Sequence, residues 1–376
     1  MIHRTVPGWR IASLAALIGL LGWGTIGLVW ADAPGASSAK HPGSGGDALR
    51  LAGPPGPAGS GGPPGITVGL ELLREAVTAC QDTSYSGSEF VLWWGPDETS
   101  ASVVEVWHQP GRLTLVEAAD PAGLSRARAA ADQDPDGILG MSGELLALLQ
   151  ANYQVVYAGH GSADGRGALI VDVLRPDGGL AARFWLDAAT KLPLRREMFA
   201  AGHRLISDDA FTRIELADPG PERPSAAAGA RWPAQLDRAR LAALRARGWQ
   251  LPDQLPGKLS LFAVNETATR SGQVINLSYS DGLAVVSVFV QRGELGRPLS
   301  GWRPVTLDGR TIYSVNPAER SFAWSAGGFV YTLVADAPMR TVSQVVAALP
   351  GPGRLGFWER MGRGLRRLVS WVNPLR

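Results

Sequence analysis

A chain of 376 residues is longer than one ordinary domain needs, and 45% hydrophobic against 19% charged residues is a globular balance that allows two cores of moderate size. Its 36 basic and 34 acidic residues leave a formal charge of +2, which excludes a chain-wide electrostatic attraction to nucleic acid. The single cysteine, Cys80, excludes an internal disulfide, so stability has to come from packing; at the end of an apolar helical face this thiol reads as a small buried hydrophobe.

In chain order, residues 1–10 read as a cytoplasmic stub carrying His3, Arg4 and Arg10, followed at 11–30 by an uncharged segment. At about 1.5 Å of rise per residue that segment spans roughly the 30 Å hydrocarbon core of a bilayer. Basic residues stand before it, while Asp32 follows and the next basic residue is Lys40, so the positive-inside rule puts the N-terminus in the cytoplasm and the bulk outside, on the cytoplasmic membrane. Secretion after signal-peptide cleavage near Ala31 is the alternative. Residues 31–65 are a Pro/Gly/Ser linker, too poor in large apolar side chains to offset the entropy of ordering.

A first domain is expected at 66–218. Val68, Leu70, Leu72, Leu73, Ala76, Val77 and Cys80 recur at helical spacing. Strands with alternating patterns follow at Tyr85–Trp94, Ser102–His108 and Arg112–Glu117, then a helical turn or two at Leu124–Ala131 and a helix at Gly143–Ala151. Five more strands are expected, Tyr153–Gly159, Arg166–Leu174, Ala181–Asp187, Pro193–Phe199 and Arg204–Ile214. Short hairpins without a βαβ signal make this an α+β domain, one large antiparallel sheet with helices on a single face. Residues 219–254 read as a Pro/Ala/Gly linker and a basic helix, Leu236–Trp249. A smaller antiparallel β domain at 255–349 has strands at Leu259–Asn265, Val274–Ser280, Ala284–Gln291, Trp302–Leu307, Thr311–Asn316, Ser321–Ser325 and Phe329–Ala335, closed by a helix at Met339–Leu349. Ser280-Asp281-Gly282 and Leu307-Asp308-Gly309-Arg310 are its hairpin turns.

Ser84-Tyr85-Ser86-Gly87, then Val103-Val104-Glu105-Val106-Trp107-His108, and above all the run Leu277-Ser278-Tyr279-Ser280-Asp281-Gly282-Leu283-Ala284-Val285-Val286-Ser287-Val288-Phe289-Val290 resemble the RseB/MucB family of sigma-E factor regulatory proteins. The likeness spans about 66–349. It implies a LolA/LolB-like half-open antiparallel barrel with helices on its concave face, and a small C-terminal domain that helps contact the extracytoplasmic segment of a membrane-spanning anti-sigma factor. A lipid or lipoprotein is the releasing ligand that the resemblance implies, and no cofactor or metal is expected. Tyr279, Asp281 and Phe289 are then the candidate partner contacts.

An apolar half-barrel wall is either filled by its own helices or open to an acyl chain, and both demand the same residue types. Trp93, Val104, Val106, Leu113, Leu115, Val171 and Phe184 are therefore candidates for a lipid cavity or for ordinary core, with Trp94 and Trp185 beside them; neighbours such as Trp93 and Trp94 face opposite sides. A carrier or chaperone of lipidated molecules is the alternative function, a structural envelope protein a third. The chain departs from the family in keeping an anchor and in adding residues 350–376. In an organism without an outer membrane, a lipopolysaccharide-type ligand does not carry over.

Asp132-Gln133-Asp134-Pro135-Asp136-Gly137 copies half of a calcium loop, but the twelfth position is Gly143, so it reads as a solvated acidic turn. His3, His41, His108, His160 and His203 have no metal-pair spacing and no nucleophile elbow occurs, which leaves catalysis without a motif. The basic amphipathic tail carries an apolar stripe, Phe357, Met361, Leu365, Leu368 and Val372. Trp358, Arg363, Arg366, Arg367 and Trp371 around it are candidate membrane contacts, the alternatives being a helix packed on the domain or a basic tail. Residues 66–376, prepared without the anchor, are expected to sediment with phosphatidylglycerol vesicles and residues 66–350 to stay in solution. Equal sedimentation of the two removes the membrane reading.

Overall fold

In the computed structural model the described residues are 5–6, 64–94, 99–110, 114–118, 128–131, 141–216, 236–269, 272–295, 302–314 and 320–351. The chain first forms helix α1 (Pro64–Asp82), whose Leu72, Leu73, Ala76, Ala79 and Cys80 are buried. Pro64 occupies the first turn, where its missing N–H leaves no helical bond unmade. Strands β1 (Tyr85–Trp94), β2 (Thr99–His108), β3 (Thr114–Ala118) and β4 (Arg128–Ala131) then meander antiparallel. The expectation of helical turns at Leu124–Ala131 is corrected here: Arg128–Ala131 pairs with Thr114–Glu117 as an edge strand. Alanine is the strongest helix former, but propensity amounts to under about 1 kcal/mol per residue, and ladder hydrogen bonds at the sheet edge outweigh it.

Helix α2 (Gly143–Asn152) starts on a Ser142 cap, whose hydroxyl accepts from the Leu145 N–H at 3.3 Å. It carries the chain from one edge of the sheet to the other, where β5 (Gln154–Ala163), β6 (Arg166–Leu174), β7 (Leu180–Asp187), β8 (Pro193–Phe199) and β9 (Leu205–Glu215) meander back. The last of these pairs with β1, which gives a nine-stranded order β4-β3-β2-β1-β9-β8-β7-β6-β5 with two open edges. This is the half-open antiparallel sheet of the α+β class, and α1 and α2 pack on one face of it. At the β1–β9 bulge a Cβ on Gly87 would stand 2.2 Å from the Arg213 carbonyl oxygen, so the approach of the two strands admits only glycine.

Helix α3 (Arg238–Ala246), capped by Asp237, leads into the second domain. Its eight strands are β10 (Gln254–Leu255), β11 (Leu259–Thr269), β12 (Gly272–Ser280), β13 (Val285–Arg292), β14 (Arg303–Leu307), β15 (Arg310–Ser314), β16 (Ser321–Ala326) and β17 (Phe329–Asp336), in the order β10-β11-β12-β13-β17-β16-β15-β14. Asp308 and Gly309 both have positive φ, 48° and 71°, as the two-residue hairpin between β14 and β15 requires. Helix α4 (Met339–Ala348) covers this sheet with Val342, Val345 and Val346.

Thr5–Val6 pairs in parallel with Glu294–Leu295, which sets those two residues beside the second sheet; a single-pass topology sets them across a membrane from it. No helix among the described residues is long and apolar enough to cross a membrane, and the segment at 11–30 lies outside them. Leu73 is fully buried beneath α1. Leu73→Ala is expected to cost about 2–5 kcal/mol of unfolding free energy, read as a lower urea midpoint at unchanged slope.

Candidate functional site

The apolar interior of the first domain is the first element of the site. Alternation along each strand decides which side chains reach it. Trp93 and Val91 of β1, Val104 and Val106 of β2, Val171 and Val173 of β6 and Phe184 of β7 all face inward. They form one contiguous cluster with Leu72, Leu73, Ala76 and Cys80 of α1 and Leu146 and Leu149 of α2. Trp185, next to Phe184, points the other way, with the guanidinium carbons of Arg183 and Arg195 at 5.9 and 4.9 Å from its ring centre. Five of the seven cavity candidates thus sit together, and in this conformation the two helices pack onto them. Leu113 lies outside the described residues, and of Leu115 only the backbone is described, paired with Trp107 and Ala130.

The second element is the contact between the domains, which sequence reasoning did not find. The turn joining β12 to β13 plugs into the first domain: Leu283 belongs to its core cluster. Gly282, at φ +102°, lies so close to α2 that a Cβ there would stand 2.2 Å from the Leu149 nitrogen. Asp281 shapes this turn through its Oδ1, which accepts from the Leu283 and Ala284 N–H groups at 2.9 and 2.8 Å. Its Oδ2 accepts from the Tyr153 hydroxyl at 2.6 Å, and its carbonyl accepts from Asn152 Nδ2 at 3.0 Å. Burial, then the Asp281 charge and hydrogen bond, raise the Tyr153 hydroxyl well above its ordinary pKa, so it remains a donor.

A second bridge joins the same two bodies. Arg196 and Asp209 are cross-strand partners on β8 and β9, and the guanidinium donates to Asp209 Oδ2 from Nη2 at 2.7 Å and from Nε at 3.1 Å. The same Nη2 reaches Asp336 Oδ2, at the end of β17 in the second domain, at 3.3 Å. The three side chains are 7% exposed or less. Burial works against the charge on Arg196, but Asp209 and then Asp336 outweigh it and the guanidinium pKa ends raised. Burial pushes Asp209 up to about 7 against the pull of Arg196, and raises Asp336 for the same reason. Arg320, from the loop before β16, lies with its guanidinium carbon 3.9 Å from the centre of the Trp93 ring.

The partner candidates fall inside this framework. Tyr279 is buried, with its hydroxyl donating to the Pro252 carbonyl at 2.7 Å, and Phe289 packs against Val274 and Val334. Asp281 is engaged by the first domain. None of the three faces solvent in this conformation; the cue missed in the sequence is that a Ser-Asp-Gly turn followed by leucine presents an apolar side chain that needs a socket. Trp358, Arg363, Arg366, Arg367 and Trp371, like the Asp132–Gly137 loop, lie outside the described residues. A separate cavity of about 380 Å³, lined by Arg245, Trp249, Leu251 and Leu349 among others, opens on the second domain where the C-terminal tail begins.

The description of the MucB/RseB N-terminal domain matches residues 100–241, from β2 into α3. Residues 100–241 are thus similar to a MucB/RseB N-terminal domain. Solved structures are similar along most of its length. MucB is 20% identical, over 75% of this chain and 97% of its own, with a TM-score of 0.47. MucB in the Pseudomonas aeruginosa MucA/MucB complex is also 20% identical, over 76% and 99%, with a TM-score of 0.45. A LolA superfamily protein from Nitrosomonas europaea is 12% identical over 40% of this chain and 94% of its own, at a TM-score of 0.18. No curated protein sequence matches. Arg196→Ala leaves two buried carboxylates without their cation and is expected to cost about 3–5 kcal/mol of stability at neutral pH. Tyr153→Phe removes one bond to a charged acceptor and is expected to cost about 1.5–3 kcal/mol. Urea unfolding at pH 7.5 measures both, and a loss below 1 kcal/mol for Arg196→Ala would show that the contact contributes little.

Proposed function

We propose that this protein is an extracytoplasmic negative regulator of sigma-factor signalling, which binds the extracytoplasmic segment of an anti-sigma factor and is released from it by an acyl-bearing lipid or lipoprotein. The family supports the first half: a relative has been solved as MucB in complex with MucA(peri). One feature of the fold supports the second. Helix α2 has two clients, since Leu146 and Leu149 pack in the first-domain interior while Asn152 at its end and Tyr153 next to it hold Asp281 of the second domain.

An acyl chain entering beneath the helices needs the space that Leu146 and Leu149 fill, because a close-packed core has no spare volume for it. Displacing α2 draws Asn152 and Tyr153 away from Asp281 and withdraws the socket around Leu283. Occupation of the interior is thereby transmitted to the second domain, where Tyr279, Asp281 and Phe289 are the proposed determinants of partner contact. A ligand shifts such an equilibrium only by its difference in affinity for the two states, and an interior that must open to admit it supplies that difference.

The carrier reading uses the same interior without a signalling partner. Calorimetric titration of the full-length chain with the extracytoplasmic segment of a single-pass anti-sigma factor from the same organism separates the two. The regulator is expected to bind that segment, and saturating lysophosphatidylglycerol to raise the apparent Kd on the order of tenfold. Absence of binding overturns the regulator. Binding that the lipid leaves unchanged overturns lipid release, and co-purified acyl ligands without any partner favour the carrier.

A further inference from the structure

The interface between the domains buries more negative than positive charge. Arg196 on β8 faces Asp209 on β9 and Asp336 on β17, with Ser207 Oγ 3.4 Å from Asp209 Oδ2. Two more charges act on Asp336 without direct contact: Arg320, before β16, favours its ionised form, and Asp281, in the β12–β13 turn, opposes it. Asp208 opposes ionisation of Asp209, although Arg195 neutralises it on the other face of the sheet through bonds of 2.8 and 2.7 Å. Two guanidinium groups therefore stand among three carboxylates in a site closed to water. The orphans agree with that imbalance: Asp209 Oδ1 and Asp336 Oδ1 are buried with no hydrogen-bond donor among the described residues.

A buried carboxylate oxygen without a donor is costly, whereas a protonated carboxyl in the same place is neutral and supplies a donor of its own. One proton shared by Asp209 and Asp336 removes the excess charge and leaves the Arg196 bridge in place. Opening the interface exposes Asp336 to water and relieves the crowding around Asp209, so the proton is held in the closed form and released from the open one. We infer that Arg196, Asp209 and Asp336 form a proton-dependent latch between the two domains, closed by protonation of the carboxylate pair and loosened when that proton leaves.

The sign follows from linkage. The closed form holds Asp209 at about 7, and an exposed aspartate titrates near the ordinary 3.8. Between those limits the closed form binds one proton more than the open form. Closure is then strongest on the acid side, weakens as pH rises toward 7 and levels off above it. For one proton the closed-to-open ratio falls by up to about tenfold per pH unit within that window.

The inference does not rest on the anti-sigma or lipid reading, and its test uses neither molecule. Full-length protein in detergent micelles is labelled with a donor–acceptor pair at Ser162→Cys in β5 and Thr306→Cys in β14, both exposed, while buried Cys80 stays unlabelled. Single-molecule energy transfer is recorded from pH 5 to pH 8.5. A single compact population at pH 5 is expected to give way to a growing separated population as pH rises, with a plateau above about pH 7.5. Asp209→Asn, which cannot lose the proton, is expected to flatten this response and keep the compact population throughout. Asp336→Asn gives the same reading if that variant fails to fold. A separation independent of pH in the parent chain overturns the latch, and so does a response that survives unchanged in either folded asparagine variant.

Discussion

The arrangement of the molecule depends on one guanidinium serving two domains. Arg196 stays charged when buried only because carboxylates stand on either side of it, and one of those belongs to a strand 140 positions further along the chain. Charges buried this deeply contribute little net stability over apolar residues of the same volume. They contribute orientation instead. An apolar contact tolerates sliding, whereas a guanidinium held by Asp209 and reaching Asp336 fixes where β17 sits against β8 and β9.

Around that fixed point the other interdomain contacts take their places. Arg320 lies over Trp93 at one side, and the β12–β13 turn enters beside α2 at the other. The second of these makes α2 a mechanical part. Its apolar side belongs to the core of one domain and its C-terminal end to the surface that receives the other, so a change in what fills the first interior alters what the second domain is attached to. Glycine at 282 is the condition for this geometry, because any side chain there would strike the backbone of Leu149.

Much of the architecture was legible from patterning. The strand from Tyr85 to Trp94 alternates buried and half-buried positions throughout, whereas Val288 to Gln291 in the strand Val285–Arg292 are all buried, so there both faces of the sheet are covered; the helices expected near Ile66 and at Gly143 also form. Boundaries moved where pairing outran pattern. The strand expected at Tyr153–Gly159 runs to Ala163, since its partner Arg166–Leu174 supplies ladder bonds through Gly159 and Gly161, which have no side chain to signal a strand. The Ala-rich stretch before Asp132 misled in the opposite sense, looking helical and pairing as an edge.

The sequence by itself determined what is local: the uncharged segment near the N-terminus, the Pro/Gly-rich composition after it, the antiparallel β patterning, and which side chains of each strand share a face, because backbone period and side-chain polarity are properties of neighbouring residues. The family likeness that the comparisons bear out lies in the first domain, over residues 100–241, rather than in the Tyr-Ser-Asp-Gly run. Tertiary structure alone decided that the Tyr-Ser-Asp-Gly run turns inward to another domain, that Arg196 rather than its neighbour Arg195 is the buried one, and that Arg196 of the first domain reaches Asp336 of the second. Those contacts join residues more than a hundred positions apart. Their charges carry no periodic signature, and only the packing of two finished sheets brings them within hydrogen-bonding distance.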